Sequence, residues 1–251
     1  MRIVAVVNQK GGSGKTTTTV NLAAALAEQG KRVLLIDLDP QGAASLCFGF
    51  KDKGKALYEV FTSQHTLSDA ICRGEVDIIP ASYLLAGVEK QLATHPRGES
   101  VLKEKIAFLE KDSWDYLLID CPPTLGILSL NALAAASEIL VPVETHVMAL
   151  HGLVQLLKTI NIVKQKLNPS LKISGILPCR VDFRTNHSKQ VIDQLKTRFE
   201  GQVLNSIIRE NIRLAEAPLY KKSIIEYAKD SNGSKDYRQL AKEFIEQETI
   251  S

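Results

Sequence analysis

The 251-residue sequence is poor in aromatic side chains, at 6% with a single tryptophan, and it has only two methionines. The lone Trp114 reads as core or rim packing rather than a binding platform. Cysteine is sparse as well. Cys47, Cys72, Cys121 and Cys179 are scattered without the paired spacing of a metal site or a disulfide framework, so they read as buried or neutral thiols of a reducing compartment. No apolar run reaches the roughly 20 residues that a membrane-spanning helix needs. No leader-like segment precedes the first apolar stretch, which makes the cytoplasm the expected location. Charge of one sign is nearly absent as a net quantity: the formal total is +3. That excess is too small to assert nucleic-acid binding from composition alone.

What remains is the composition of an ordinary folded domain, 45% hydrophobic and 24% charged. The length suits one large α/β domain or two small ones. The chain is organised around Asn8-Gln9-Lys10-Gly11-Gly12-Ser13-Gly14-Lys15-Thr16-Thr17. An apolar, β-branched run, Ile3 to Val7, precedes it. A helical pattern through Val20, Leu22, Ala23, Leu26 and Ala27 follows and closes at Gly30. Strand, glycine loop and helix are the context of a phosphate-binding loop. Glycines let backbone N–H groups curl around an anion, and the helix that follows points its positive end at the same place. Lys15 is then placed to reach the β- and γ-phosphates of a nucleotide, and the Thr16 hydroxyl to ligate Mg2+. Position 9 carries Gln9 where the ordinary loop has its first glycine, and Lys10 is an additional cation. Two lysines on one loop suggest that one serves the chain's own nucleotide and the other something else.

Further acids stand at strand ends. Arg32 to Asp37 reads as a buried strand that runs into Asp37-Leu38-Asp39-Pro40-Gln41-Gly42. Tyr116 to Asp120 is another, followed by Cys121-Pro122-Pro123. Open α/β sheets bind ligands at such carboxyl ends. Asp120, ending an apolar strand, is placed to hold Mg2+ through water.

Together these segments resemble the ParA/MinD family of P-loop ATPases with a deviant Walker A motif. Lys10 to Thr17, Asp37 to Gly42 and Asp120 to Gly126 carry the likeness, and it extends over nearly the whole chain. The resemblance implies an α/β fold: a single-domain P-loop NTPase over residues 1–251, with a mostly parallel twisted sheet and helices on both faces. It implies ATP and Mg2+ as cofactors and an ATP-dependent homodimer in which Lys10 crosses to the partner's nucleotide. Lys10, Lys15 and Asp39 would be catalytic, with Asp39 positioning the attacking water and Asp37 ordering the Mg2+ and lysine network. Gly11, Gly12, Ser13, Gly14, Thr16 and Thr17 would join the two lysines around ATP, with Asn211 and Pro218 near the base. Thr16, Asp39 and Asp120 form the expected metal set.

In the last quarter, strands are expected before Cys179 and before Arg209. Arg209-Glu210-Asn211-Ile212-Arg213-Leu214-Ala215-Glu216-Ala217-Pro218 resembles a segment of chromosomal ParA-type proteins that flanks the base and a DNA-binding surface. Arg184, Arg213, Lys221 and Lys222 are the DNA-contact candidates the resemblance implies. Phosphate contacts need only cations in register and carry no sequence information, so nonspecific double-stranded DNA is the expected track. No N-terminal helix-turn-helix domain is expected. The tail from Asp236 to Ser251 reads as helical and acidic toward its end, unlike a basic membrane-surface helix. The expected protein is therefore a nucleoid-associated ATPase whose hydrolysis is stimulated by a ParB-like or other cargo-adaptor protein, with no stable membrane association. The alternative is a membrane-cycling positioning ATPase of the MinD kind. An iron–sulfur reductase or a small-molecule synthetase on the same fold is a third possibility.

Overall fold

The computed structural model describes residues 1–50, 56–110 and 112–248. Six strands form one sheet: β1 (Arg2–Val6), β2 (Val33–Asp37), β3 (Asp77–Ile79), β4 (Tyr116–Asp120), β5 (Glu138–Glu144) and β6 (Lys172–Cys179). All pair in parallel, in the order β3-β2-β4-β1-β5-β6. A parallel sheet covered on both faces demands strands that are apolar throughout, and β2 and β4 are buried at every position.

The helices are α1 (Lys15–Glu28), α2 (Ala43–Cys47), α3 (Ala56–Thr62), α4 (Leu85–Thr94), α5 (Val101–Ile106), α6 (Ile127–Ala135), α7 (Val147–Lys166), α8 (Asn186–Arg198), α9 (Ile212–Glu216), α10 (Ile224–Tyr227) and α11 (Asn232–Glu248). They divide between two cores. Successive strand residues point to opposite faces, so Val4 and Val6 face one core while Ala5 and Val7 face the other. The first core is sealed by α1 and α11, through Leu22 and Leu26 on one helix and Tyr237, Leu240 and Phe244 on the other. The second lies under α3 to α8, and Trp114 is buried in it. The apolar face of α11 is thus packed inside the protein. Residues 249–251, the end of the expected tail helix, lie outside the described residues. Among the described residues no helix is long and apolar enough to cross a membrane.

One sequence expectation is corrected. No strand precedes Arg209. Residues 203–209 lie beside β6 through two isolated parallel bridges, Ile176 with Val203 and Val181 with Arg209. The ladder is interrupted because the N–H groups of Asn205 and Ser206 donate instead to the Glu243 carboxylate of α11, both at 2.8 Å.

Candidate functional site

The carboxyl ends of β1, β2 and β4 converge, with Val6 and Asp37 both in register with Asp120. From β1 the chain enters the glycine loop. Gly12 (φ 77°) and Gly14 (φ 93°) occupy left-handed backbone regions that a residue with a Cβ adopts only under strain. Asn8 anchors the loop from within: its Nδ2 donates to the Pro142 carbonyl at 2.7 Å, and its Oδ1 accepts from the Lys10 N–H at 3.0 Å. Helix α1 then begins at Lys15 with no side-chain cap and no acid in its first turn. Its first N–H groups and its dipole are left for an anion.

The two lysines are sorted by environment. Lys15 is buried, and its Nζ lies 3.4 Å from the Lys10 carbonyl. Desolvation lowers its pKa, partly offset by Asp120. Lys10 points outward: its Nζ pairs with Glu144 Oε2 at 2.6 Å, and the other oxygen of Glu144 accepts from Arg180 at 2.8 Å. Arg180 holds a left-handed backbone (φ 52°), an uncommon conformation for a residue with a side chain and one found at functional sites.

The acids form a layer beneath the loop. Thr16 Oγ1 donates to Asp120 Oδ2 at 2.7 Å, and Thr19 Oγ1 lies 3.1 Å from Asp120 Oδ1. Asp39 is half-buried and accepts from the Gln41 N–H at 3.0 Å. Asp37 is fully buried and accepts from both the N–H and the hydroxyl of Ser45, at 2.8 and 2.7 Å. It therefore fastens the start of α2 and makes no lysine contact among those the structure describes. Burial raises the pKa of both Asp37 and Asp120; the Asp37 carboxylate raises that of Asp120 further, and Asp39 raises both. Among the described residues no group of three or more His, Cys, Asp or Glu is arranged to hold a metal unaided. The set Thr16, Asp120 and Asp39 nevertheless fits Mg2+, which takes hard oxygen ligands and usually binds through one or two carboxylates plus substrate phosphates. The buried Ser13 hydroxyl has no hydrogen-bond partner among the described residues.

Beyond the loop opens a groove of about 830 Å3, lined by Gly12, Gly14 and Thr17 of the phosphate loop and helix α1 and by Asn211 and Ala215 from the last quarter of the chain. Asn211 caps α9, its Oδ1 accepting from the Arg213 N–H at 2.9 Å. Pro218 is exposed and does not line the groove. The four DNA-contact candidates border three different hollows. Arg184 stands on the groove wall, paired with Asp182 at 2.8 Å. Arg213 pairs with Glu216 at 2.8 Å and borders a separate hollow with Tyr227. Lys221 and Lys222 line a small hollow with Phe48 and Phe50, and Lys222 pairs with Glu226 at 2.6 Å. Sequence reasoning missed Glu144, Arg180, Thr19, Cys179 and Tyr237 at this site. An acid ending β5 was the one signal that could have found Glu144.

A glycine loop at the end of a parallel strand, an uncapped helix behind it, and a Thr–Asp pair below define a P-loop nucleotide-binding protein with a second loop lysine. A family model described as "AAA domain" matches residues 1–173. A second, described as "4Fe-4S iron sulfur cluster binding proteins, NifH/frxC family", matches residues 102–251. Sporulation initiation inhibitor protein Soj of Bacillus subtilis is 44% identical over 247 residues, 96% of this chain and 97% of the relative. Chromosome partitioning protein ParA of Myxococcus xanthus is 41% identical over 253 residues, 99% of this chain and 89% of the relative. A crystal structure from Mycobacterium smegmatis, named cobyrinic acid a,c-diamide synthase with bound ADP and magnesium, superposes with a TM-score of 0.87 at 38% identity, covering 99% of this chain and 96% of that one. The chain belongs to the ParA/Soj family of partitioning ATPases.

The iron–sulfur cluster does not fit these residues. Within 102–251 the cysteines are Cys121 and Cys179, 0% and 3% exposed. Burial raises both thiols, Cys179 to about 12. Neither offers a surface thiolate to a cluster.

Proposed function

We propose that this protein is an ATP-hydrolysing positioning switch. ATP joins two subunits, the dimer holds nonspecific DNA, and hydrolysis stimulated by a ParB-like or other cargo-adaptor protein releases it. The observation that carries the reading is the sorting of two lysines on one loop, Lys15 buried and Lys10 turned outward onto Glu144. A single lysine would serve a self-contained site. An outward second lysine suits a nucleotide in another subunit.

In this reading Gly11, Gly12, Ser13, Gly14 and Thr17 wrap the phosphates with backbone N–H groups, and the buried Lys15 ammonium neutralises them in a medium where charge is weakly screened. Asn211 lies at the base end of the groove, with Pro218 outside it. Thr16, Asp120 and Asp39 hold Mg2+, which when bound neutralises charge on the β- and γ-phosphate oxygens. Asp39 orients water toward the γ-phosphorus. The water oxygen forms the new bond, the bond to the β,γ-bridging oxygen breaks, and ADP and phosphate leave. Lys10 of one subunit stabilises the charge that develops in the other. Arg184, Arg213, Lys221 and Lys222 supply DNA phosphate contacts from the rim, which requires the acids now paired with three of them to yield. Such a protein is cytoplasmic and nucleoid-associated. Packing of the apolar face of α11 against α1 and the sheet disfavours the MinD-like membrane alternative.

The test is sedimentation with ATP, ADP and no nucleotide, using Asp39→Ala to block turnover. A dimer only with ATP supports the reading; a monomer in every state contradicts it. The name of the mycobacterial structure suggests a synthase instead. ATP turnover that requires a second small-molecule substrate would favour that reading, and turnover with water alone would disfavour it.

A further inference from the structure

The floor of the groove and one of its walls are fastened to adjacent residues near the start of α11. Tyr237 lines the groove floor, 1% exposed, with its hydroxyl 3.3 Å from Thr18 Oγ1 on α1. Thr18 and Cys179 together form the surface on which the bare face of Gly14 rests: a Cβ placed on Gly14 would lie 3.8 Å from Cys179 Sγ and 3.9 Å from Thr18 Oγ1. The floor beneath the phosphate loop is thus Thr18, Cys179 and Tyr237, one residue each from α1, β6 and α11. Burial raises the Tyr237 phenol well above its ordinary value, so it stays a neutral hydroxyl.

Asp236 turns the other way. Consecutive helical residues point about 100° apart, and its carboxylate, 8% exposed, meets Arg209, which lines the groove. Its Oδ2 accepts from the Arg209 backbone N–H at 2.9 Å, and its two oxygens accept from Arg209 Nε at 3.0 Å. Arg209 lines the groove two residues before Asn211, in the stretch that lies beside β6 through isolated bridges. On either side the Ile208 N–H donates to the Pro178 carbonyl at 2.8 Å and the Glu210 N–H to the Val181 carbonyl at 3.1 Å, and the Asp236 bonds supply the tie at Arg209 itself.

We infer that Asp236 and Tyr237 are positioning residues for nucleotide binding: one holds the base-side wall, the other the floor under the phosphate loop, and α11 sets the spacing between them. The inference rests on the nucleotide reading of this groove. Neither residue touches the reacting atoms; each acts through Arg209 or Thr18.

The experiment is calorimetric titration of ADP into the full chain and its variants, with a thermal melt of each to show that it is folded. Tyr237→Phe keeps the ring and removes only the hydroxyl. Thr18→Val removes the partner. Each single change is expected to weaken ADP about three- to tenfold, and the double change no further, because both remove one interaction. Asp236→Asn, which removes charge-assisted bonds, is expected to weaken ADP about tenfold or more. Arg238→Ala is the control for docking alone. Arg238 joins α11 to Glu28 on α1, with Nη2 2.9 Å from Glu28 Oε1, and it does not line the groove. Its loss is expected to lower the melting temperature and leave ADP affinity within about twofold. Tyr237→Phe and Asp236→Asn binding ADP as the parent does would overturn the inference alone. Equal weakening by Arg238→Ala would also overturn it, reducing α11 to a structural support. A parent chain that binds no ADP would overturn it together with the proposed function.

Discussion

Glu144 holds the outward lysine, and its removal gives a signed, measurable effect. In the subunit alone, Glu144 pairs with Lys10 at 2.6 Å and with Arg180 at 2.8 Å. The Lys10 hydrogen bond is the largest cause lowering the Glu144 pKa, so the carboxylate is charged at neutral pH. For Lys10 to meet a nucleotide in the other subunit it must leave this partner. The Lys10 side chain is 47% exposed and that of Glu144 20%. An ion pair so accessible contributes about 0.2–1 kcal/mol. A symmetric dimer releases two, so the hold amounts to about 0.4–2 kcal/mol, or about two- to thirtyfold in the dimer dissociation constant. Glu144→Gln keeps the shape and removes the charge. It is expected to tighten the ATP-bound dimer by that factor, read by sedimentation velocity across a protein dilution series in the Asp39→Ala background. The gain should shrink as salt rises, because the interaction removed is screened. An unchanged or weaker dimer would refute the reasoning and mean that Glu144 is needed in the assembled state.

Gly98→Ala would place a Cβ 1.9 Å from the Leu92 carbonyl oxygen, whereas one on Gly11 meets nothing within 4 Å; urea denaturation is expected to show a loss of about 1–3 kcal/mol or more for the first and little change for Gly11→Ala. Arg32 hydrogen bonds hold the Asp115 carboxyl down to about 2, below its unfolded value of about 3.9. That pair's stabilisation is present above about pH 4 and lost as pH falls toward about 2. Melting temperatures over that range should fall less steeply for Asp115→Asn than for the parent, by a margin that salt reduces, since Arg32 is 57% exposed. In a thiol-reagent titration of the native protein at pH 7.5, Cys72 is expected to react first. Cys47, Cys121 and Cys179 are buried, with thiols pushed up to about 11 for Cys47 and about 12 for Cys179, and should react only on unfolding. Prompt labelling of all four would contradict the packing.

The strands were legible because a parallel sheet buried on both faces leaves little choice of residue. The runs at 33–37 and 116–120 are apolar without interruption up to their terminal acids. The phosphate loop was legible because glycines and lysines in that order have few other uses between a strand and a helix. Thr16 and Asp120, 104 residues apart, do meet at 2.7 Å. What could not be read were pairings set by sheet order. Glu144 meets Lys10 because β5 lies beside β1, and nothing near either residue in sequence announces it. Nor could the sequence announce that Asp37, expected to order a metal and lysine network, accepts from Ser45 across the sharp turn that follows β2. The segment before Arg209 has the composition of a strand, but Glu243 of α11 captures two of its N–H groups. Likewise, the sequence offered Arg184, Arg213 and Lys222 as DNA-contact candidates without announcing that each carries an acid partner.

The most direct test of the account is binding of the purified protein to nonspecific duplex DNA with ATP, with ADP and without nucleotide, over a salt series. The account expects binding only with ATP, weakening steeply as salt rises because cations displace the counterions of several phosphates. Binding that ignores the nucleotide, or none in any state, would contradict a DNA-tracking switch and leave a P-loop ATPase whose track is something else.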